Sequence, residues 1–329
     1  MVINDNKSKI SYGMISMTKI IIIMTSVILF AQTTFAADYT LLKPAHIVDV
    51  EKGVLISDQN ILIEGNKIIA IGRQEDIQQN HPVPLENLKI IDLSGFTVLP
   101  GLIDAHSHIL LHPYNEVSWN DQVLKESRAE RSARAVMHLK ATLDAGFTSL
   151  RDLGSEGAGY ADVGIKRTLQ KGAIVGPRLI VAGRAIVATG SYGPKGFDLS
   201  HDLTLGAEPA DGNDLIRVTR DQIGKGADLV KIYADYRWGP KGEARPTFSQ
   251  EEIQLIVDTA ASSGRRVVAH SATNEGMRRA ILAGVQSIEH GDGGTLDTFK
   301  LMKESGVIYC PTVTVTEAIA EYGGWRKGV

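Results

Sequence analysis

The stretch GRRVVAHSATNEGMRRAILAGVQSIEH, residues 264–290, contains the same pattern twice and decides the fold class. In each copy a glycine precedes a short apolar strand, and the two strands end at His270 and His290. A helical segment connects them, and strands that alternate with helices are typical of a parallel sheet covered by helices. Because parallel strands run in one direction, we expect both histidines at the same edge of the sheet.

The same pattern recurs on both sides of this stretch. Glycines precede three further apolar segments, FTSLRD, ADLVK and VIYCPT, and each segment ends in a polar residue. These residues are Asp152, Lys231 and Thr312. With TVLPGLIDAHSH at residues 97–108 and PRLIVAGRAIV at residues 177–187, the chain has about seven such strands. We therefore predict an α/β fold, a (β/α)8-type TIM barrel that lacks its last strand, with the polar residues at its carboxyl-terminal rim.

Two further histidines, His106 and His108, stand one residue apart at the end of the segment at residues 97–108. Side chains two positions apart on a strand point to the same side, so both imidazoles should face one point. A chain with nine histidines contains this spacing by chance in roughly one case in four. The pair is therefore informative only because it lies at the end of a predicted strand. Histidine nitrogens suit Zn²⁺, and His106, His108, His270 and His290 together predict a metal site at the rim.

The composition excludes several classes of partner. The formal net charge is −3 and the pI is near 6.3, whereas nucleic-acid binding requires a basic surface, so we expect a small-molecule substrate and no nucleic acid. Cys310 is the only cysteine, so neither an intramolecular disulfide nor a thiolate cluster can form, and any metal should have nitrogen and oxygen ligands. The sequence leaves a homo-oligomer open.

The first 36 residues have the pattern of a secretory signal peptide. Lys19 precedes a largely apolar run over residues 20–30, and residues 34–36 (TFA) resemble a cleavage site. The alternative is a membrane anchor, but this run has only about half of the roughly 20 residues that a bilayer requires. We therefore expect removal of residues 1–36, no stable membrane span, and a periplasmic or secreted protein.

Short strand-like segments fill residues 37–95, ahead of the predicted barrel domain at residues 96–329. They are HIVDVEKGVLI, NILIEGNKIIAIG and LKIIDLSG, and Gly65-Asn66 gives a tight-turn signal inside the second of them. This pattern indicates a small β module, which we predict to be part of a β-sandwich.

Four segments resemble motifs of the amidohydrolase superfamily, and they are PGLIDAHSH, DLVKIYAD, VVAH and SIEHGD. Within the superfamily, the resemblance is close to the imidazolonepropionase-like and Xaa-Pro or Xaa-Arg dipeptidase branch. The resemblance covers about residues 40–315. It implies two zinc ions bound by the four histidines and bridged by Lys231 as a carbamate, the anionic product of its amine with CO₂. It also implies hydrolysis of the amide bond of dipeptides with a C-terminal Pro, Arg or Lys by a hydroxide that bridges the metals.

Within this branch, Lys231 favours the binuclear dipeptidase type, and an imidazolonepropionase-like hydrolase of cyclic amides stays an alternative. A protonated lysine would repel a cation, so beside a metal its amine must be neutralised. Tyr192, in ATGSYGPKGFD, and Tyr233 resemble substrate-binding positions. Tyr233 either meets the terminal carboxylate of a dipeptide or only packs within its strand.

The eighth strand of the family carries an aspartate that binds one metal and transfers a proton to the leaving amine. The last aspartate of this sequence is Asp297, ahead of the seventh strand, so no catalytic residue is identifiable. Two hypotheses stay open. The sequence is part of a longer exported dipeptidase, or it is a truncated, non-catalytic zinc-binding remnant.

Overall fold

The computed structural model describes residues 38–198 and 200–326. The chain divides into two compact units, Met1–Pro100 and Gly101–Val329. The predicted signal peptide over residues 1–36 lies outside the described residues, and the limits of the three predicted domains stay predictions. Within the described ranges, no helix is both long enough and apolar enough to cross a bilayer.

The first unit contains a five-stranded sheet and a short helix. Its elements are β1 (Tyr39–Asp49), β2 (Val54–Ser57), β3 (Asn60–Glu64), β4 (Lys67–Gly72), α1 (Gln74–Asn80) and β5 (Leu88–Val98). β1 pairs antiparallel with β2 and β3, β3 pairs antiparallel with β4, and β5 lies parallel to β1. The predicted tight turn lies between β3 and β4, where Gly65 has φ +57, a conformation that glycine adopts without strain.

Leu41, Leu62 and Ile77 form the buried core of this first unit. They come from β1, β3 and α1, so the helix covers one face of the sheet. Within residues 38–98 the long strands form this one sheet, and the second layer of a sandwich is not among the described residues of the unit.

The second unit alternates strands with helices. Its strands are β6 (Leu102–Ser107), β7 (Phe147–Asp152), β8 (Arg178–Val181), β9 (Ile186–Val187), β10 (Glu208–Pro209), β11 (Val230–Tyr233), β12 (Asp235–Arg237), β13 (Ala244–Pro246), β14 (Val267–Ser271), β15 (Ser287–His290) and β16 (Ile308–Cys310). Its helices are α2 (Trp119–Leu124), α3 (Arg128–Asp144), α4 (Ala161–Gln170), α5 (Asp214–Lys225), α6 (Gln250–Ala261), α7 (Asn274–Leu282), α8 (Leu296–Ser305) and α9 (Val313–Tyr322).

Parallel ladders join most strands of this unit into two sheets, β6-β7-β8 and β10-β9-β11-β14-β15-β16. The sheets meet where β11 begins, because the Asp228 amide donates to the Val181 carbonyl of β8 at 2.8 Å. β8 and β9 together correspond to the third predicted strand, and β12 and β13 form a separate antiparallel pair. The predicted α/β class, with parallel barrel strands separated by helices, is confirmed.

Local signals in the sequence explain where several helices begin and end. Ser249 and Glu252 form a capping box at the start of α6, in which each side chain accepts from the backbone amide of the other. Gly226 ends α5 with φ +111 and Gly306 ends α8 with φ +67, left-handed conformations that strain other residues. The glycines of the repeat therefore stop these helices and turn the chain into the next strand.

The core of the second unit lies between the strands and the helices that cover them. In β11, Val230 and Ile232 are fully buried in an apolar cluster that includes Ile253 of α6. Neighbouring side chains on a strand point to opposite faces, so the buried Lys231 and Tyr233 point away from these helices, into the space enclosed by the strands. The alternation in this strand therefore buries an apolar face against the helices and puts a lysine and a tyrosine inside the barrel.

Candidate metal centre

Four histidines meet at the carboxyl-terminal end of the barrel strands. The imidazole centroids of His106 and His290 lie 4.8 Å apart, those of His270 and His290 4.6 Å, and those of His106 and His108 5.4 Å. They come from β6, β14 and β15 and from the position that follows β6. The structure thus brings together every histidine predicted for the metal site.

His290 reaches this cluster through an unusual backbone conformation. It follows Glu289 in β15, and regular alternation would point these two side chains to opposite faces. His290 has φ +73, which is rare outside glycine, and both its ring and Glu289 contact His106. The Tyr309 hydroxyl donates to the His290 carbonyl at 2.9 Å, and His290 Nδ1 lies 2.8 Å from Thr312 Oγ1. These contacts hold the strained residue in place.

The partners of His106 and His108 fix which ring nitrogen carries the proton. His106 Nδ1 lies 2.9 Å from Glu289 Oε2, and His108 Nδ1 lies 2.9 Å from the Gly154 carbonyl oxygen. A carboxylate and a carbonyl only accept hydrogen bonds, so in the neutral ring the hydrogen sits on Nδ1. The lone pair of Nε2 is then available to a metal ion in both residues.

Glu289 was not predicted, and it holds His106 in position. Its side chain is fully buried, and it also accepts hydrogen bonds from Ser287 Oγ at 2.5 Å and Arg151 Nη2 at 2.8 Å. Arg151, on β7, donates from Nε to the Ala105 carbonyl of β6 at 2.5 Å, so its guanidinium connects β6, β7 and β15. In the sequence, the only indication of this role is that Glu289 directly precedes His290, the histidine that ends a predicted strand.

Burial keeps the four imidazoles neutral. It lowers the pKa of His106 and His108, and it lowers the pKa of His270 by a large amount. Burial, and then the positive charge of Lys231, lowers the pKa of His290 to about 4. A neutral imidazole has the free lone pair that a metal ion requires, so all four rings are in the form that binds metals.

Lys231 lies beside the histidines, and its amine is buried. Its Nζ is 5.3 Å from the centroid of the Tyr233 ring, which stacks on His270 at 4.6 Å. The residue is 1% exposed, and within the described part of the chain Nζ has no hydrogen-bond partner. Burial lowers the pKa of Lys231 to about 8. An unpaired buried amine is costly, and four neutral imidazoles around it fit a site that holds divalent metal ions.

A second combination of donor atoms also includes His106. The donor atoms of His106, Glu289 and Cys310 all lie within 4.8 Å of one another. Burial raises the pKa of Cys310 to about 11, which disfavours the thiolate form that binds metals, and Glu289 already accepts from three donors. We therefore assign Glu289 and Cys310 to the support of the centre and not to its ligands.

The two tyrosines predicted for substrate binding are buried beside the histidines. Tyr233 stacks on His270, and the ring centroids of Tyr192 and Tyr233 are 4.7 Å apart. Both hydroxyls donate to Glu156, at 2.6 Å from Tyr192 and at 3.2 Å from Tyr233, and Trp119 Nε1 donates to the same carboxylate at 2.9 Å. Glu156 lies in the loop after β7, and no motif or spacing in the sequence indicated it.

A cavity of about 280 Å³ lies next to His108. Apolar side chains from α9 and from the loop after β6 form most of its wall. His112 also lines this cavity, but its Nδ1 lies 3.0 Å from a Glu116 oxygen and its Nε2 lies 3.1 Å from a Glu126 oxygen, so both ring nitrogens have partners. The cavity therefore offers space for an apolar group of a ligand beside His108.

The sequence matches the amidohydrolase family over residues 97–323. Among curated proteins, ochratoxinase of Aspergillus niger is 30% identical over 293 residues, which cover 80% of this chain and 57% of that protein. The chain therefore spans little more than half the length of this relative.

Two solved structures share the fold. A Xaa-Pro dipeptidase with bound methionine in its active site has a TM-score of 0.74 and 29% identity, covering 87% of this chain and 70% of the other. A prolidase complexed with N-methylphosphonate-L-proline has a TM-score of 0.73 and 32% identity, covering 87% of this chain and 69% of the other. With the family match extending over more than half of its residues, this chain belongs to the amidohydrolase family.

Proposed function

We propose that this chain forms the metal-binding part of an amidohydrolase that hydrolyses the amide bond of dipeptides with a C-terminal proline, arginine or lysine. The proposal rests above all on the buried amine of Lys231, which lies beside four neutral histidines and has no hydrogen-bond partner among the residues that the structure describes. The similar prolidase and Xaa-Pro dipeptidase structures support the substrate class.

In this proposal His106, His108, His270 and His290 bind two zinc ions, and Lys231 carries CO₂ as a carbamate. The carbamate exchanges a buried amine for an anionic oxygen ligand, which removes the repulsion between an ammonium group and a cation. Zinc bound here would polarise the scissile carbonyl and lower the pKa of water at the site.

The other residues of the centre position these ligands. Glu289 and the Gly154 carbonyl orient His106 and His108, and Thr312 orients His290. We assign proton transfer to no residue, because the sequence has no aspartate after Asp297.

Elemental analysis tests the metal centre. For the chain expressed with zinc and bicarbonate, we expect about two zinc ions per chain. Lys231→Ala should lose at least one of them, whereas Lys300→Ala, which removes an exposed lysine of α8, should keep both. A wild-type chain without zinc, or equal zinc in Lys231→Ala, would exclude the binuclear site.

A substrate panel tests the reaction. We expect zinc-dependent hydrolysis of dipeptides with C-terminal proline, arginine or lysine to exceed that of dipeptides with an apolar C-terminal residue. Turnover of cyclic amides in place of dipeptides would instead support the imidazolonepropionase-like alternative. If the zinc-loaded protein hydrolyses none of these compounds, the proposed activity is wrong.

We also propose export, from the sequence of residues 1–36 alone. The protein recovered from the periplasm or the medium should begin after Ala36. N-terminal sequencing checks this expectation, and an intact first residue in the exported protein would contradict it.

A further inference from the structure

Asp152 is the last residue of β7, and it is a polar strand-end residue that the proposed metal ligands do not include. Its neighbour Arg151 reaches the barrel interior, where it pairs with Glu289. Since side chains alternate along a strand, Asp152 faces the opposite side of β7, and it is fully buried there. A carboxyl group in such a position is costly unless hydrogen bonds satisfy it, so its contacts indicate what it does.

The end of β7 contacts the chain on both sides of His108. Before His108, the Ser107 carbonyl accepts from the Leu153 amide at 2.9 Å. After His108, the Ile109 amide donates to Oδ1 of Asp152 at 3.3 Å. If the parallel ladder continued, a backbone carbonyl of β7 would accept from the Ile109 amide. Here the side chain of Asp152 takes the place of that carbonyl.

The ladder stops at Asp152 because the chain leaves β6 after this residue. The Ser155 amide donates at 2.9 Å to the Gly183 carbonyl, which lies in the connection between β8 and β9. On this path, the Gly154 carbonyl oxygen lies 2.9 Å from His108 Nδ1. The carboxyl group of Asp152 thus replaces a ladder bond at the point where the departing chain orients the ring of His108.

This role requires an acceptor oxygen and not a charge. Burial, and then the charge of Asp162 on α4, raises the pKa of Asp152 well above its ordinary range. A protonated carboxyl group keeps an oxygen that accepts, so Asp152 can accept from the Ile109 amide in either state. Without this oxygen the buried amide would need another acceptor, and the next ladder carbonyl belongs to the segment that orients His108.

We propose that Asp152 is a positioning residue, which accepts from the Ile109 amide so that the Gly154 carbonyl can hold the hydrogen of the His108 ring on Nδ1. Nε2 of His108 then keeps the lone pair that a metal ion requires. The consequence for zinc rests on the proposed function, whereas the position of the ring hydrogen is a property of the metal-free chain. The two parts of the inference can therefore be measured separately.

Nitrogen-15 NMR of the imidazole rings in the metal-free full chain tests the first part. We expect one tautomer for His108, with the hydrogen on Nδ1, and His108→Gln identifies its signals by their loss. Asp152→Leu, which removes the acceptor and keeps a branched side chain, should give a mixture of the two tautomers. Asp152→Asn keeps an acceptor oxygen and should retain the signals of the wild type.

Zinc affinity, measured by competition with a chromogenic chelator, tests the second part. We expect it to fall roughly 10- to 100-fold in Asp152→Leu and to stay unchanged in Asp152→Asn. Asp162→Leu is the matched control, because it removes a buried carboxyl group that accepts instead from the amides of Gly183 and Val163. This variant should lower the free energy of unfolding but keep the His108 tautomer and the zinc affinity of the wild type.

A hydrogen on Nε2 of His108 in the wild type overturns the proposal even if Asp152→Leu does not fold. An unchanged tautomer in folded Asp152→Leu also overturns it, as does an equal change in Asp162→Leu, which would reduce the role of Asp152 to stability. A lost tautomer in folded Asp152→Asn would assign the effect to charge and contradict the proposal. The expected tautomers in a chain that binds no zinc would support the positioning role and remove the proposed function.

Discussion

The histidine centre has two walls that are built differently. In the strand wall, formed by Glu289, Arg151 and Ser287, a buried carboxylate pairs with a guanidinium. In the loop wall, formed by Glu156, Tyr192, Tyr233 and Trp119, a buried carboxylate accepts from neutral side chains. In the strand wall a guanidinium compensates the buried charge directly, whereas in the loop wall neutral donors satisfy the oxygens of the carboxylate. The fold therefore buries a carboxylate beside the histidines in two different ways.

His270 should show the largest effect, because it contacts both the loop wall and the other histidines. We expect His270→Ala to lower hydrolysis more than about a hundredfold and to release at least one zinc ion, since a neutral imidazole is lost from the ligand set. His46→Ala, which removes a histidine bonded to Ser57 in the first unit, is the control. Activity of His270→Ala within tenfold of the wild type would show that the cluster is structural.

The second largest effect should be a dependence of the free energy of unfolding on pH. The pKa of His290 is about 4 in the folded chain against 6.5 when unperturbed, so between these values only the unfolded chain binds the proton. Stability is therefore lost as the pH falls from about 6.5 to about 4, and His290 alone contributes up to about 3 kcal/mol to this loss. Urea denaturation of chelator-treated protein at a series of pH values measures it. His290→Gln should flatten the profile, and an equally steep profile in this variant would contradict the assignment.

Glu289→Gln should act on the strand wall alone. The variant keeps the shape but loses the charge that pairs with Arg151 and orients His106, so zinc affinity should fall about 10- to 100-fold. Competition with a chromogenic chelator gives the affinity. Unchanged zinc affinity in Glu289→Gln would contradict the role given to the strand wall.

Tyr192→Phe should show the smallest effect. It removes one hydrogen bond to Glu156, at 2.6 Å, so the free energy of unfolding should fall by about 1 kcal/mol while zinc content stays unchanged. Thermal denaturation and elemental analysis measure the two quantities. Tyr160→Phe removes the hydroxyl that bonds to Asp221 away from the centre and gives the comparison value. Loss of zinc from Tyr192→Phe would show that the loop wall also supports the metals.

The sequence was sufficient to predict which site residues lie at the ends of the barrel strands. A glycine that ends a helix sets the start of the next strand, and the alternation of side chains then sets which residues face the barrel interior. This reasoning located Lys231, His270 and the pair His106 and His108. It also located His290, although the left-handed backbone that turns its ring towards His106 was not foreseen.

The two buried glutamates were not predictable in the same way. Glu289 is 183 positions from His106, and Glu156 is 36 positions from Tyr192, so each contact depends on the folded chain and not on a local period. The position of Glu156 depends further on a strained loop conformation that Arg131 holds from α3. For Tyr192 and Tyr233 the sequence indicated the neighbourhood but not the partner, because it gave no sign of the carboxylate to which both donate.

Arg151 gives the assembly of this centre a definite order. Its guanidinium joins the Ala105 carbonyl of β6 to Ser287 and Glu289 of β15, which belong to different sheets. A folding intermediate with only β11, β14 and β15 in place contains His270, His290 and Glu289 but lacks His106, which β6 carries, and Arg151, which β7 carries. We therefore expect tight zinc capture to follow the docking of the two sheets, and we expect the rate of zinc uptake during refolding to report that step.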